Sequence, residues 1–556
     1  MYDRNTFFKL RWLIVFLFFS SVLSAQVILR DSTVTWKHHR FDLNEDGSIN
    51  TFSTSDQDIQ TVTFAGKVLE NELIKLVLIP EYGGRILSFV YKPTGHEYLY
   101  QSEVGSAYGI NAGNFYYNWL MVYGGIFPTF PEPEHGKTWF LPWEYSVIKD
   151  KSDTVTIRME YTDNTSYSGA PGGFNNGITG ITCSVDVSVY SQTSIWDFDV
   201  KLTNNRSSSV NYEYWTCTTL TPGSEVGDTG SPLNSEIVIP ADNYFAGWSP
   251  GGWIGGINST YNMSDIDYLF EWDDMGIAYA SNFDGKYWGV LNHENNEGVF
   301  RISENVNTKG LKLWTWGSGN VDNNLYDYSN GGADNYIELW AGVSDAFFRD
   351  ATMAANEVKT WKESYCATVG LSSIVNMNEF AAANLIWDEN QGDLTYELNT
   401  FSKDNNYTLT LNLEGVISSG VATRTITFQE LGVTETISVT DLGLPSGAYL
   451  AKIDLTNDQD ELVFSANKWI QIINTLSTET FKADDMEVLS CGGNSVQLIV
   501  PESGNYHLSI VGLDGRIMYQ DRFNGNRKEV RLPQRGLYVF QVGNGIVRYN
   551  KKVLIN

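Results

Sequence analysis

Positive charge is scarce in this 556-residue chain: 37 Lys and Arg stand against 66 Asp and Glu, a formal net charge of −29. No Lys/Arg run offsets that excess, which argues against nucleic acid as a partner and obliges any anionic substrate to meet a local basic patch or a bridging cation. Cysteine is scarce too. Cys183, Cys217, Cys366 and Cys491 fit no CxxC or other metal-ligand spacing, which argues against zinc. Cys183 and Cys217 both lie in strand-like runs, and a disulfide and a pair of buried free thiols remain open alternatives. Only six histidines occur, so each can be weighed singly. Beyond residue 25 no run reaches the roughly 18–20 apolar residues of a membrane helix, and strong helical periodicity is absent.

What is present begins with an export signal. The positive stretch MYDRNTFFKLR precedes the 12-residue apolar run WLIVFLFFSSVL at 12–23 and the small pair Ser24-Ala25. The run is too short to span a bilayer, and the pattern predicts a signal peptide over 1–25, cut after Ala25. The mature protein is expected to be exported, without a membrane span.

Seventeen Trp, 31 Tyr and 50 Gly point to a β-rich protein with many turns. Residues 26–65 read as a polar, weakly patterned segment. Within it Asp42, Asn44, Asp46, Gly47, Ser48 and Asn50 match successive positions of a calcium loop, although Ser53 replaces its terminal acid. No cofactor is expected, with a structural calcium here as the alternative. From 66 to 370 short β-type patterns such as NELIKLVLIP, TVTIRMEY and ITCSVDVSVY alternate with Gly/Asn/Asp turns, which predicts a large antiparallel sandwich. Residues 371–475 are less aromatic and spaced like an immunoglobulin-type β-sandwich. A linker over 476–487 then leads to a small β domain at 488–556.

Two ordered sets of motifs carry resemblances. GNYHLSIVGLDGRI, LPQRGLYVFQV and the basic ending RYNKKVLIN resemble the C-terminal sorting domain of type IX secretion substrates of Bacteroidota. That resemblance implies passage through the type IX machinery and release or attachment at the outer surface. LENELIKLVLIPEYGGRILSFVYKPTGHEYLY, YGGIFPTFPEPEHGKTWFLPWEYSV, WGVLNHENNEGVFRI, KLWTWGSG and NYIELWAG are similar to a bacterial domain family of unknown function with a galactose-mutarotase-like fold. It implies an all-β, galactose-mutarotase-like antiparallel supersandwich over 66–370. The fold hosts many chemistries, so the site must be argued from its residues.

In NYIELWAG, alternation puts Tyr336, Glu338 and Trp340 on one strand face and Ile337 and Leu339 on the other. The resemblance places Glu338 where related enzymes carry a general base, and makes His135 and His293 substrate-facing. Imidazole can donate to a ring or glycosidic oxygen, or accept a proton, near neutral pH. Lys312 alternates with Trp314 and Trp316 on one face of its strand; the indoles, with Trp340, suit stacking on pyranose C–H faces. Lys312 and Arg85 are the candidate cations, Arg85 with the stronger structural claim. Glu134 and Glu294 are candidates for a second carboxylate. Together these residues predict a saccharide cleft with poly- or oligosaccharide as partner. A glycoside hydrolase would pair Glu338 with Glu134 or Glu294. A polysaccharide lyase would use a base with Lys312 or Arg85 on the uronate carboxylate. A non-catalytic glycan-binding protein and an aldose 1-epimerase are the remaining readings.

Overall fold

The computed structural model describes residues 26–555 except 46–48, 54, 108–119, 122–123, 132–135, 137, 139–140, 165–176, 242, 249–259, 274, 282–284, 319–334, 404–405, 416–420, 429–430, 440–441, 473–485, 493, 513–515 and 545–547. The described chain is almost all β. A 14-stranded and an 8-stranded sheet face each other across one core over the first two thirds of the chain. The large antiparallel sandwich expected from the sequence is therefore the architecture of the main domain.

Period-2 alternation builds it. In the strand Ile181–Tyr190 of the smaller sheet, Cys183, Val185, Val187 and Val189 are fully buried in the inter-sheet core. Leu311, Leu313, Ile337, Leu339 and Ala341 enter that core from the larger sheet. The strand Trp215–Ser224 is buried along nearly its whole length because both its faces are covered. Thr216 crosses inward to donate to Glu363 Oε1 at 2.8 Å, while Glu363 Oε2 takes Arg301 Nε at 2.7 Å, a buried polar tie between the layers.

The middle of the larger sheet runs in the order Gly310–Thr315, Ile337–Gly342, Trp215–Ser224, Ile126–Thr129, Arg85–Tyr91, Ile74–Ile79, Ile59–Glu70, Ile28–His39. Its outer face carries a second cluster, containing Trp36, Ile79, Tyr82, Phe127, Trp215, Cys217, Tyr279, Trp340 and Phe347. Gly342 is required there, since a Cβ would lie 2.2 Å from the Trp215 ring. Gly125, at φ +81°, lets the chain approach the Ile86 carbonyl to a distance no side chain allows.

Residues 26–65 correct the expectation of a separate polar lead-in. Ile28–His39 pairs with Ile59–Glu70 over twelve register partners, inside the larger sheet. Half of each strand faces solvent, so its polar residues masked the pattern. Over 376–472 two four-stranded sheets enclose their own core, and five strands over 487–555 form another. No helix among the described residues is long and apolar enough to cross a membrane.

Candidate functional site

The strands Gly310–Thr315 and Ile337–Gly342 pair antiparallel with Lys312 opposite Trp340 and Trp314 opposite Glu338. These four side chains share the outer face, because their neighbours Leu311, Leu313, Leu339 and Ala341 point into the core. Lys312 reaches diagonally to Glu338, Nζ to Oε2 at 3.0 Å. Trp340 Nε1 donates to the same oxygen at 2.8 Å. The ammonium lies 3.9 Å from the Trp340 ring centroid and 5.3 Å from that of Phe347. Both charged side chains are only 5% exposed. One carboxylate oxygen is thus held by a lysine and an indole; among the described residues Oε1 accepts no hydrogen bond.

Around the pair stand aromatic rings. Trp314 meets Trp316 edge-on at 4.5 Å and Tyr336 at 5.7 Å, and Tyr336 stacks on Tyr100 at 4.1 Å. Trp314 is half-buried. Trp316 and Trp340 are 3% and 1% exposed, so the expectation that their faces stack on sugar is corrected: close packing covers both rings. Of the three indoles, Trp314 alone presents surface.

The outer face continues through Cys217 and Phe127 to Arg85. Burial pushes the Cys217 thiol well up; Glu338 adds to this, while Lys312 and Arg85 oppose it, so the thiol lies among all three charges. Cys183 sits in the inter-sheet core, and both cysteines are free thiols, which closes the disulfide alternative. Arg85 is fully buried, donates from a terminal guanidinium nitrogen to the Gly124 carbonyl and lies 3.8 Å from the Phe127 centroid. Burial lowers its pKa to about 10. Its substrate-facing role is corrected to a structural one, since the group is enclosed by protein.

The remaining candidates lie elsewhere. His293 sits in the turn after Tyr287–Asn292 of the smaller sheet, bonded through Nε2 to Glu236 Oε2 at 2.7 Å and stacked on Tyr268. Glu294 follows it, exposed. Neither shares a partner with Lys312 or Glu338. Glu134 and His135 lie outside the described residues, as do Asp46, Gly47 and Ser48 of the calcium-like loop. Asp42 Oδ2 accepts from Thr51 Oγ1 at 2.8 Å. Among the described residues no three His, Cys, Asp or Glu side chains converge as metal ligands.

Sequence reasoning passed over His38. It is 2% exposed, on the same face as Trp36, with its ring centroid 5.5 Å from Tyr82 and 6.0 Å from Trp36. Burial, and then the Arg85 charge, push the imidazole down to about 4. The available signal was the alternation Trp36-x-His38 before a Phe, masked by the polar residues between.

The family described as Domain of unknown function (DUF5107) matches residues 48–169. No curated protein matches the chain in sequence. Among solved structures, a TPR-domain containing protein from Parabacteroides distasonis is similar at 16% identity and TM-score 0.50, over 62% of this chain and 55% of that one. The chain therefore spans about half of that relative's length, and the likeness is one of fold. A galactose mutarotase-like protein from Clostridium acetobutylicum matches at 11% identity and TM-score 0.38, over 55% of this chain and 96% of the other. A 4-alpha-glucanotransferase from Thermococcus litoralis matches at 10% identity and TM-score 0.29, over 55% and 37% of the two chains.

Proposed function

We propose that this chain is an exported carbohydrate-active enzyme that hydrolyses a glycan on the outer face of its larger sheet, with Glu338 as the reacting carboxylate. The observation that carries the reading is the Glu338 side chain itself. Its Oε2 is fixed by Lys312 and Trp340, its Oε1 accepts nothing among the described residues, and the half-buried Trp314 stands directly opposite in the ladder. A carboxylate held from one side and offered from the other is preorganised to act as base or nucleophile. The indole supplies an apolar face for the adjoining sugar.

Hydrolysis is favoured over uronate elimination by what Lys312 does. A lyase needs a cation on the substrate carboxylate, whereas this ammonium is spent on Glu338 and boxed by Trp340 and Phe347. Hydrolysis needs a second group as acid. Glu294 stands on the other sheet, which leaves Glu134 or His135, after the Gly124-Gly125 turn, as the proposed acid. Glu213 lies two residues before the strand Trp215–Ser224, which carries Thr219, the partner of Glu338. Six residues separate it from Thr219, about 20 Å of extended chain, too far to serve one glycosidic bond.

Export rests on the N-terminal signal pattern, and we assign the five-stranded unit at 487–555 to type IX sorting on its motifs. The test of function is release of new reducing ends from neutral polysaccharides by the wild-type chain, set against Glu338→Gln.

A non-catalytic glycan-binding role is the second reading, favoured by the depth of the ion pair. In that case Glu338→Gln leaves affinity for the glycan nearly unchanged and no substrate is cleaved.

A further inference from the structure

Four buried polar atoms in one corner of the outer face stand without a hydrogen-bond partner among the described residues. They are both ring nitrogens of His38, the Tyr82 hydroxyl and the Ser102 hydroxyl. Their residues are 2%, 4% and 2% exposed. Trp36 ties the group together: its ring lies 6.0 Å from His38 and 5.9 Å from Tyr82, and its Nε1 donates to the Ser102 carbonyl at 2.6 Å. The Arg85 guanidinium stands 5.5 Å from the Tyr82 centroid. Folding rarely leaves such groups together unsatisfied, because each forfeits its bonds to water. A cluster of them beside an indole has the composition of a hydroxyl-reading site.

We propose that His38, Tyr82 and Ser102 form a subsite that binds neighbouring hydroxyls of a neutral sugar, with Trp36 as its apolar wall. The inference rests on the glycan-hydrolysing reading above and names its substrate class as neutral. A hydroxyl both donates and accepts, and so do Tyr82, Ser102 and a neutral imidazole. Burial and the Arg85 charge, which push the His38 imidazole down to about 4, keep it in that neutral form. A uronate carboxylate only accepts, and would leave the acceptor atoms of these three groups unused.

The subsite lies on the same face as Glu338. The row of side chains from Lys312 through Trp340, Cys217 and Phe127 to Arg85 connects the two ends. The proposed glycan places one sugar at Trp314 and Glu338 and a unit further along the same face at His38, passing over the row, whose own side chains are covered by packing. Phe41, half-buried and stacked on the imidazole at 5.9 Å, forms the outer wall that an entering sugar displaces.

The test uses the full chain labelled with ¹⁵N-histidine, with D-glucose, D-galactose, D-xylose and L-arabinose as probes and D-glucuronate as charged control. His38→Asn assigns the His38 ring signals. The subsite predicts that at least one neutral sugar shifts those signals and that glucuronate does not. It also predicts that Tyr82→Phe, which deletes an unpartnered hydroxyl, leaves the melting temperature equal or higher while weakening that sugar about tenfold, the loss of one hydrogen bond. Silence of His38 with every neutral sugar overturns the proposal, as does a Tyr82→Phe variant with higher stability and unchanged affinity, which marks groups satisfied by ordered water only. Glu338→Gln separates the two readings: retained turnover sinks Glu338 as the reacting carboxylate while the His38 shift stands, and lost turnover with a silent His38 sinks the subsite alone.

Discussion

Trp314 and Glu338 face each other across the ladder between two adjacent strands, so the half-buried indole is a cross-strand neighbour of the carboxylate that holds Lys312. An apolar surface and a charge fixed from behind are thus placed side by side by strand register alone. The two residues differ in what their loss should do.

Replacing Glu338 by Gln leaves the buried Lys312 ammonium without its counter-charge. Removal of one partner of a buried pair costs about 3–5 kcal/mol, and the 5% exposure of both side chains places this pair in that class. Urea denaturation should show a loss of that order for Glu338→Gln and for Lys312→Met. The double variant Lys312→Met/Glu338→Leu should recover most of the stability and none of the activity.

Trp314 and Trp316 are two residues apart on one face and should nevertheless separate. Trp316→Ala opens a cavity in a buried cluster with Tyr100 and Tyr336 and should cost roughly 3–5 kcal/mol. Trp314→Ala should cost less stability and lower glycan affinity about tenfold, the scale of one good ring contact. Denaturation curves and affinity electrophoresis on the same preparations check both.

That pair also shows how far the sequence was legible. Alternation in KLWTWG and NYIELWAG identified the face of Lys312, Trp314, Glu338 and Trp340, because period 2 depends only on local backbone geometry. It did not disclose that Trp316 and Trp340 are covered. The covering comes from elsewhere: Phe347 from the following turn, Trp215 from a strand about 120 residues earlier, and Tyr100 from earlier still. Arg85 was named as a candidate cation, yet it is fully buried in a strand that is buried along its whole length. His38 was passed over because nothing local brings it to Tyr82, which lies in the turn after Ile74–Ile79; the strand Ile59–Glu70 intervenes in the sheet.

Glu213 makes stability depend on pH. Burial raises its pKa from 4.5 to about 8, with Asp350 adding to the shift, while Trp215 Nε1 donates to Oε2 at 3.0 Å. Between those values the unfolded chain releases the proton and the folded chain keeps it. The contribution to stability is therefore full below about pH 4.5 and is lost as pH rises towards 8, by up to about 1.4 kcal/mol per pH unit. Glu213→Gln has no such proton. Unfolding free energies at pH 5, 6 and 7 should fall more steeply for the wild type than for Glu213→Gln; equal slopes contradict the assignment.

All four cysteines are free, three of them buried and Cys491 exposed. Burial pushes the Cys183, Cys217 and Cys366 thiols up, which suppresses the reactive thiolate. A thiol reagent should titrate one group in the native protein and four in denaturant, and reductant should leave the melting temperature unchanged.

The most direct test of the account is a screen of the purified chain on neutral and uronate polysaccharides, reading reducing ends and 235-nm absorbance together, with Glu338→Gln beside it. The account predicts new reducing ends from a neutral glycan, flat absorbance, and loss of the signal in Glu338→Gln. Rising absorbance from a uronate polymer, full activity in Glu338→Gln, or retention of a glycan in an affinity gel without any cleavage would contradict it.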